Sequence, residues 1–370
     1  MSIAIYRKYR PSTFDELLGQ EIVVRILKEA SRENRFAHAY LLAGPRGTGK
    51  TTTARLIAKI VNCEARAKDA SVRAKGEPCN KCSACESINN GLALDVMEID
   101  AASNRGIDEI RNLKESVRVS PSSLQYKVFI IDEAHMLTKD AWNALLKTLE
   151  EPPDKVIMIL ATTEAEKVPA TIASRTQQFY FKKVSLMEIV KKLKDIAGKE
   201  KIKISNEALD LIASAAEGSF RDSESLLNQL ISFSSNEISI HDVEKTLGKI
   251  GFDKLSKFAG FLLENDLQGS LKSLSEIQDQ GYNLSQFTKD LIQYLRRAAV
   301  LKFNPEMKDS FRNELMEDHL KKLITNASKF GDSHINLLKS LINAYGQMRY
   351  SQFPIIPLEV AIIEGLKKSA

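Results

Sequence analysis

Gly44, Pro45, Arg46, Gly47, Thr48, Gly49, Lys50 and Thr51 follow the spacing G-x-x-x-x-G-K-[ST], which is that of a phosphate-binding loop. Glycines at the fixed positions let successive backbone N–H groups converge on one concavity without a Cβ in the way. The Lys50 ammonium then reaches the β- and γ-phosphates of a nucleoside triphosphate, and the Thr51 hydroxyl is a ligand for Mg²⁺. Thr52 continues into a helix whose unpaired N–H groups face the anion. The alternative is a Gly-rich turn that binds nothing, and the context argues against it. Ala39–Ala43 is a short apolar run that reads as a buried strand, and the stretch from Thr52 to Ile60 carries Leu56, Ile57 and Ile60 on one side.

A second constellation lies downstream. Val128-Phe-Ile-Ile131 is an apolar run that delivers Asp132 and Glu133 at its end. In open α/β sheets ligands collect at the carboxyl ends of strands. Asp132 is placed to hold Mg²⁺, directly or through water, and Glu133 to orient or deprotonate an attacking water. Alone, this could be a strand ending at a solvated acidic turn; joined to the upstream loop, it reads as a nucleoside triphosphatase. The strand from Lys155 to Ala161 finishes at Thr162 and Thr163, either a sensor of the γ-phosphate or a polar turn. Arg175 lies on a loop after the core sheet and is either surface decoration or a group that reaches a neighbouring subunit's phosphate. Arg221 sits in the first turn of a later helix, where a cation opposes the helix dipole. It points to an anionic partner or is a stray surface arginine.

All four cysteines fall in one stretch: Cys63, then Cys79, Cys82 and Cys85, spaced C-x15-C-x2-C-x2-C. Paired x2 spacing brings two sulfurs to one tetrahedral ion from a tight turn, and four thiolates fill such a site without leaving a position for catalysis. In a reducing cytosol the cluster reads as structural Zn²⁺, with redox chemistry as the alternative. The region from Glu64 to Gly76 reads as an irregular charged loop clipped by the metal.

The elements that must position these groups follow from periodicity. A helix starts near Glu21 with Val23, Val24, Ile26 and Leu27 apolar; Ala93–Asp100 reads as a strand; a turn at Ala101–Gly106 is followed by a helix carrying Ile107, Ile110, Leu113 and Val117. The helix from Thr138 to Glu151 holds Trp142, Leu145, Leu146 and Leu149 and stops at Pro152-Pro153, and Gln178–Phe181 is a last strand. The basic-aromatic start containing Tyr9, Arg10 and Pro11 is either a solvated arm or a flat surface packed over a nucleotide base. Beyond residue 180 helical periodicity takes over, opening with the capping box Ser185-x-x-Glu188. The expected fold class is α/β in residues 1–180, with a zinc module at about 63–85, a three-helix lid at 181–247 and an all-α domain at 248–370.

Nearly half the residues are apolar, enough for a sizeable core, and the 53 basic residues barely outnumber the 48 acidic ones. Such a balance permits nucleic-acid binding without demanding it. No apolar run approaches the roughly 18 residues of a membrane span, and the first ten residues lack an apolar signal core. A soluble cytoplasmic protein is expected.

Taken in order, Arg7–Pro11, the loop Gly44–Thr51, the cysteine insert, Asp132–His135, Leu145–Pro153, Ser174-Arg-Thr176 and Gly218–Asp222 resemble the gamma/tau subunits of bacterial DNA polymerase III, which are AAA+ clamp-loader ATPases. Thr176 stands where the family's Ser-Arg-Cys motif has cysteine. The resemblance implies an AAA+ sheet with lid and collar, and ATP, Mg²⁺ and Zn²⁺ as cofactors. It also implies a five-subunit ring with other clamp-loader subunits that binds and opens a sliding clamp and releases it on primer-template DNA. On that reading Thr163 is sensor 1, Arg221 sensor 2 and Arg175 the finger acting on a neighbour's ATP; Tyr9, Arg10 and Pro11 contact the base, and Ser103 to Arg105 track DNA phosphates. A branch-migration helicase and a scaffold that binds ATP without turnover are the competing readings.

Overall fold

The computed structural model describes residues 4–103, 113, 115–233, 237–312 and 314–367. Asn104, Arg105, Ile107 and Ile110 lie outside them, while Leu113 and Val117 are buried. The chain forms two compact units, Met1–Val184 with Gly218–Asp222, and Ser185–Glu217 with Ser223–Ala370.

The first unit is built on a parallel sheet of β1 (Ala39–Ala43), β2 (Val96–Asp100), β3 (Lys127–Asp132), β4 (Val156–Thr162) and β5 (Gln177–Tyr180), in the order β2-β3-β4-β1-β5. Strands buried on both faces read as continuous apolar runs, and β1 and β4 are buried along their whole length. Alternation sorts their side chains. Leu41, Phe129, Ile131, Met158 and Leu160 pack on one face against Trp142, Leu145 and Leu149 of the helix Lys139–Glu150. Tyr40, Leu42, Val128, Ile130, Ile157 and Ile159 pack on the other with Leu56, Ile57 and Ile60 of the helix Lys50–Asn62, and with Phe14, Val23 and Leu27. A parallel sheet covered by helices on both faces is what the motifs led one to expect, so the α/β class stands.

Some local expectations change. The helix Glu21–Arg32 buries Val23 and Leu27 but leaves Ile26 exposed. β2 begins at Val96 rather than Ala93, and Leu94 is exposed. The cause is Asp95, whose buried carboxylate accepts backbone N–H groups from Ser122 (2.9 Å), Ser123 (2.7 Å) and Leu124 (2.9 Å), so the chain turns there before the strand starts. The segment after Cys63 is not irregular: it forms the short helices Glu64–Lys68 and Ala70–Ala74, the second capped by the Asp69 side chain.

In the second unit Ser185 and Glu188 form the capping box of the helix Leu186–Lys199, Ser205 caps Asn206–Ala215, and Ser239 and Asp242 box Ile240–Leu247. The last of these stops at Gly248 in the left-handed region. The helix Asn206–Ala215 is followed by Glu217 and Gly218, both at positive φ. The helices from Phe252 onward share a core that includes Phe258, Leu262, Leu291, Leu323, Leu341 and Ile362.

Burial pushes the Asp95 carboxyl up, but the three N–H donors and the Ser123 hydroxyl outweigh it and bring the group down to about 2. The folded-state pKa lies below the unfolded one, so this stabilisation is present above the usual carboxylate range and is lost as pH falls from about 4 towards about 2. Asp95→Asn should therefore lower the urea midpoint at pH 7, with the difference from wild type vanishing near pH 2. Fluorescence of Trp142, the single tryptophan, follows the first unit alone.

Candidate functional site

Strand geometry brings the loop and the acids together. β1 ends at Ala43, opposite Thr162 of β4, and the Gly44 N–H donates to the Thr162 carbonyl (3.1 Å). Gly44, Gly47 and Gly49 all have positive φ; a Cβ on Gly44 would collide with the Phe181 carbonyl, and one on Gly47 with the Ser219 hydroxyl. The loop thus needs glycine for space as well as for φ. Lys50 is buried and curls back over the loop, donating from Nζ to the carbonyls of Gly44 (2.7 Å) and Pro45 (2.8 Å), while the Thr48 hydroxyl donates to Pro45 (2.8 Å). Burial lowers the Lys50 pKa, opposed by Glu133 and Asp132. Thr52 lies in the first turn of the helix that Lys50 opens.

The Thr51 hydroxyl donates to Asp132 Oδ2 (2.7 Å), and Asp132 Oδ1 accepts the Glu133 N–H (2.9 Å). Two hard oxygen donors side by side fit an octahedral divalent cation such as Mg²⁺. Glu133 is held at φ 49°, and its Oε2 accepts the Thr163 hydroxyl (3.2 Å). A non-glycine residue in this region marks a strained turn that its surroundings enforce. One group had no role assigned from sequence. His135 has Nδ1 3.1 Å from the Thr162 hydroxyl and Nε2 3.2 Å from Glu164, with Glu133 3.5 Å from Nδ1. It ties the tips of β3 and β4 behind Glu133. The motif Asp132-Glu-Ala-His135 contains it, but spacing could not say which atoms it meets.

Arg46, Arg55, Glu98, Asp132, Glu133 and Arg221 line a cleft of about 730 Å³. Arg221 also lies over the Tyr6 ring, 5.4 Å from its centroid. Arg10, just before Pro11, is half-buried; burial lowers its pKa, and Arg55, Arg221 and Arg7 add to that while Glu98 opposes. Arg55 itself donates to Glu98 (2.8 Å). Tyr9 caps the short helix Ile5–Lys8 beside this group. Arg175 is engaged elsewhere, donating to the Thr171 carbonyl (2.8 Å) and pairing with Glu150 (2.8 Å). Ser103 donates to Asp100 (2.8 Å).

The four cysteines are free thiols whose sulfurs all lie within 4.8 Å of one another. Backbone N–H groups of Cys79, Lys81 and Cys82 point at the sulfurs of Cys63 and Cys79, which favours thiolates. A hydrogen bond from Cys85 pulls the Cys63 thiol well below the ordinary thiol range, while the same bond raises Cys85 and burial raises Cys79. Four thiolates carry more charge than one divalent ion neutralises, and Lys59 and Arg66, both buried beside the cluster, supply positive charge. This donor set fits Zn²⁺.

The comparisons with known proteins agree with this geometry. Residues 19–185 match the family model described as DNA polymerase III, delta subunit, residues 188–236 that of the DNA polymerase III clamp loader subunit, ATPase lid domain, and residues 238–368 that of DNA polymerase III subunits gamma and tau domain III. The DNA polymerase III subunit gamma of Buchnera aphidicola subsp. Schizaphis graminum is 37% identical over 88% of this chain and 87% of its own length. The chain belongs to the DNA polymerase III gamma/tau family. The Bacillus subtilis tau subunit, another gamma/tau member, is 40% identical over 98% of this chain, which spans 62% of that protein's length. Among solved structures, the Thermotoga maritima RuvB Holliday junction branch migration motor superposes with a TM-score of 0.46 at 22% identity, over 69% of this chain and 78% of that one. Among the described residues no helix is long and apolar enough to cross a membrane.

The cysteine cluster makes a direct prediction. The purified chain should hold about one zinc, and its four thiols should resist a thiol reagent until a chelator is added. A metal-free chain that stays folded with all four thiols freely reactive would contradict the assignment.

Proposed function

We propose that this chain is an ATP-hydrolysing subunit of a bacterial sliding-clamp loader, acting in the cytoplasm. The observation that carries the proposal is the contact between the Thr51 hydroxyl and the Asp132 carboxylate directly beside the glycine loop. It joins the end of β3 to the phosphate-binding helix at the one place where a metal-bound triphosphate needs both. Thr51 and Asp132 would hold Mg²⁺, which supplies charge neutralisation between the β- and γ-phosphates.

The protein's own groups do the rest by positioning and electrostatics. Amides of Gly44 to Gly49 and the helix N-terminus after them take the phosphate oxygens. Lys50 releases the Gly44 and Pro45 carbonyls and turns its ammonium to the β- and γ-phosphates. Glu133 orients water in line with the γ-phosphate and takes its proton, while Thr163, bonded to Glu133, sets the carboxylate's rotamer as sensor 1. Arg221, in the cleft with Asp132 and Glu133, answers the γ-phosphate of its own subunit as sensor 2. Tyr9, Arg10 and Pro11 supply the base platform. Arg175, turned towards Glu150, serves as a finger for a neighbour's ATP, exchanging one carboxylate for phosphate when the ring closes. Division into an ATPase domain to about residue 180, a lid to 247 and a collar beyond it completes this reading, with other clamp-loader subunits, the clamp and primer-template DNA as partners.

Lys50→Ala should abolish ATP binding. Glu133→Gln should retain ATP but slow turnover by about a hundredfold or more; undiminished turnover would remove Glu133 from its role. Arg175→Ala should leave the chain's own ATP affinity intact while cutting turnover in the assembled ring by about a thousandfold, and equal turnover of mutant and wild-type rings would exclude the finger. Hydrolysis should rise when the clamp and primed DNA are added together. Junction migration by the isolated chain, with no response to a clamp, would favour a different motor.

A further inference from the structure

The helix that begins with Lys50 ends at Cys63, its C-cap. Thirteen residues make a rod about 20 Å long, with the phosphate loop at one end and the cysteine cluster at the other. A second connection runs beside it. The segment Ser12–Leu17 has no regular secondary structure, so its backbone polar groups need partners. Several of them come from the turn that carries Cys79. The Glu77 carboxylate accepts the N–H groups of Phe14 (2.7 Å) and Asp15 (3.1 Å). Asn80, at positive φ, donates from Nδ2 to the Ser12 carbonyl (3.0 Å). Its Oδ1 accepts from Lys59 Nζ (2.7 Å), which also donates to the Ser12 carbonyl (2.9 Å). Lys59 belongs to the Lys50–Asn62 helix, so helix, cysteine turn and N-terminal segment meet at one carbonyl.

One end of that segment follows the proposed base platform and the other meets the phosphate loop. Tyr9, Arg10 and Pro11 immediately precede Ser12. At the other end Leu17 packs against Gly49 of the phosphate loop, where an added Cβ would stand 3.3 Å from Leu17 Cδ2. Phe14 is pinned in the core between them. The residues flanking Cys79 thus hold the backbone of the segment that joins the proposed base platform to the phosphate loop.

We propose that the tetra-cysteine turn is a brace for the nucleotide pocket: through the positioning residues Glu77 and Asn80 it fixes the segment from Tyr9 to Leu17, so that metal retention and nucleotide affinity are linked. This rests on the nucleotide-binding reading above. Linkage is reciprocal: a metal that tightens nucleotide binding is itself held more tightly when nucleotide is bound, by the same factor.

The test uses the full, zinc-loaded chain and ATPγS. Glu77→Ala orphans two N–H groups and should weaken ATPγS binding by about three- to tenfold while zinc stays stoichiometric. Glu77→Gln keeps one accepting oxygen and should recover part of that loss. Amide exchange over residues 12–17 should rise in Glu77→Ala, and in the wild type once zinc is removed. ATPγS should slow zinc transfer from the wild type to a chromophoric chelator, and slow it less in Glu77→Ala. Wild-type affinity in both Glu77→Ala and Asn80→Ala, or zinc transfer indifferent to ATPγS, would overturn the brace. If the wild type bound no ATPγS at all, the nucleotide reading would fail instead. The link to nucleotide would fall with it, and exchange would decide only the hold of the cysteine turn on residues 12–17: unchanged exchange after zinc removal would refute that hold, and a rise would support it.

Discussion

The hydrogen-bond ladder between β1 and β4 sets the geometry of everything at the carboxyl edge of the sheet. Because all five strands run the same way, their carboxyl ends finish on one side of the sheet. The register then fixes their heights: Ala43 stands opposite Thr162, and Ile131 opposite Leu160. From those heights the glycine loop, the pair Asp132 and Glu133, and Thr163 reach into one place. A slip of one residue in either ladder would turn Leu41 and Leu160 away from their core and carry the polar tips out of reach of each other. The apolar cores on the two faces, one around Trp142 and one around Leu56, make such a slip costly. Packing far from the chemistry is thus what keeps the chemistry aligned.

Electrostatics at the two ends of the Lys50–Asn62 helix follow opposite needs. Its N-terminus gathers unpaired N–H groups, and a buried lysine and two acids stand within the same small volume. Its C-terminus meets sulfurs, where the helix dipole is unfavourable for negative charge. Lys59 and Arg66 offset that mismatch. Lys59 is held by the Ser12 carbonyl and Asn80, Arg66 by the Ile60 and Ser31 carbonyls. Glu16 and Glu77 also act on Lys59, and Arg66 lies over the Phe36 ring, so the sulfurs share these cations with other partners.

Much of the site was legible in the residues. The phosphate loop, the acidic strand end and the C-x2-C-x2-C run each need particular atoms at particular separations along the chain, and spacing reports that. The capping box at Ser185 reads well for the same reason, since it is complete within four residues. Partners far apart in sequence were not legible. Asp95 delays the start of β2 because its carboxylate is taken by Ser122 to Leu124, and His135 meets Thr162 and Glu164 across two strands. The stretch after Cys63 looked irregular because it is short and charged, yet two brief helices form there, the second capped by Asp69.

By itself the sequence determined the spacing of the glycine loop, the acidic pair and the four cysteines, and the kinds of strand and helix that flank them, because those properties depend on neighbours within a turn or a strand. Only the tertiary structure decided that Thr51 meets Asp132 across 81 residues, that Thr163 meets Glu133, and that Glu77 and Asn80 hold the backbone near Ser12. The first two contacts arise from strand order, with β4 between β3 and β1, and strand order is set by how two apolar faces close around a sheet, a condition on the whole unit that no local pattern contains.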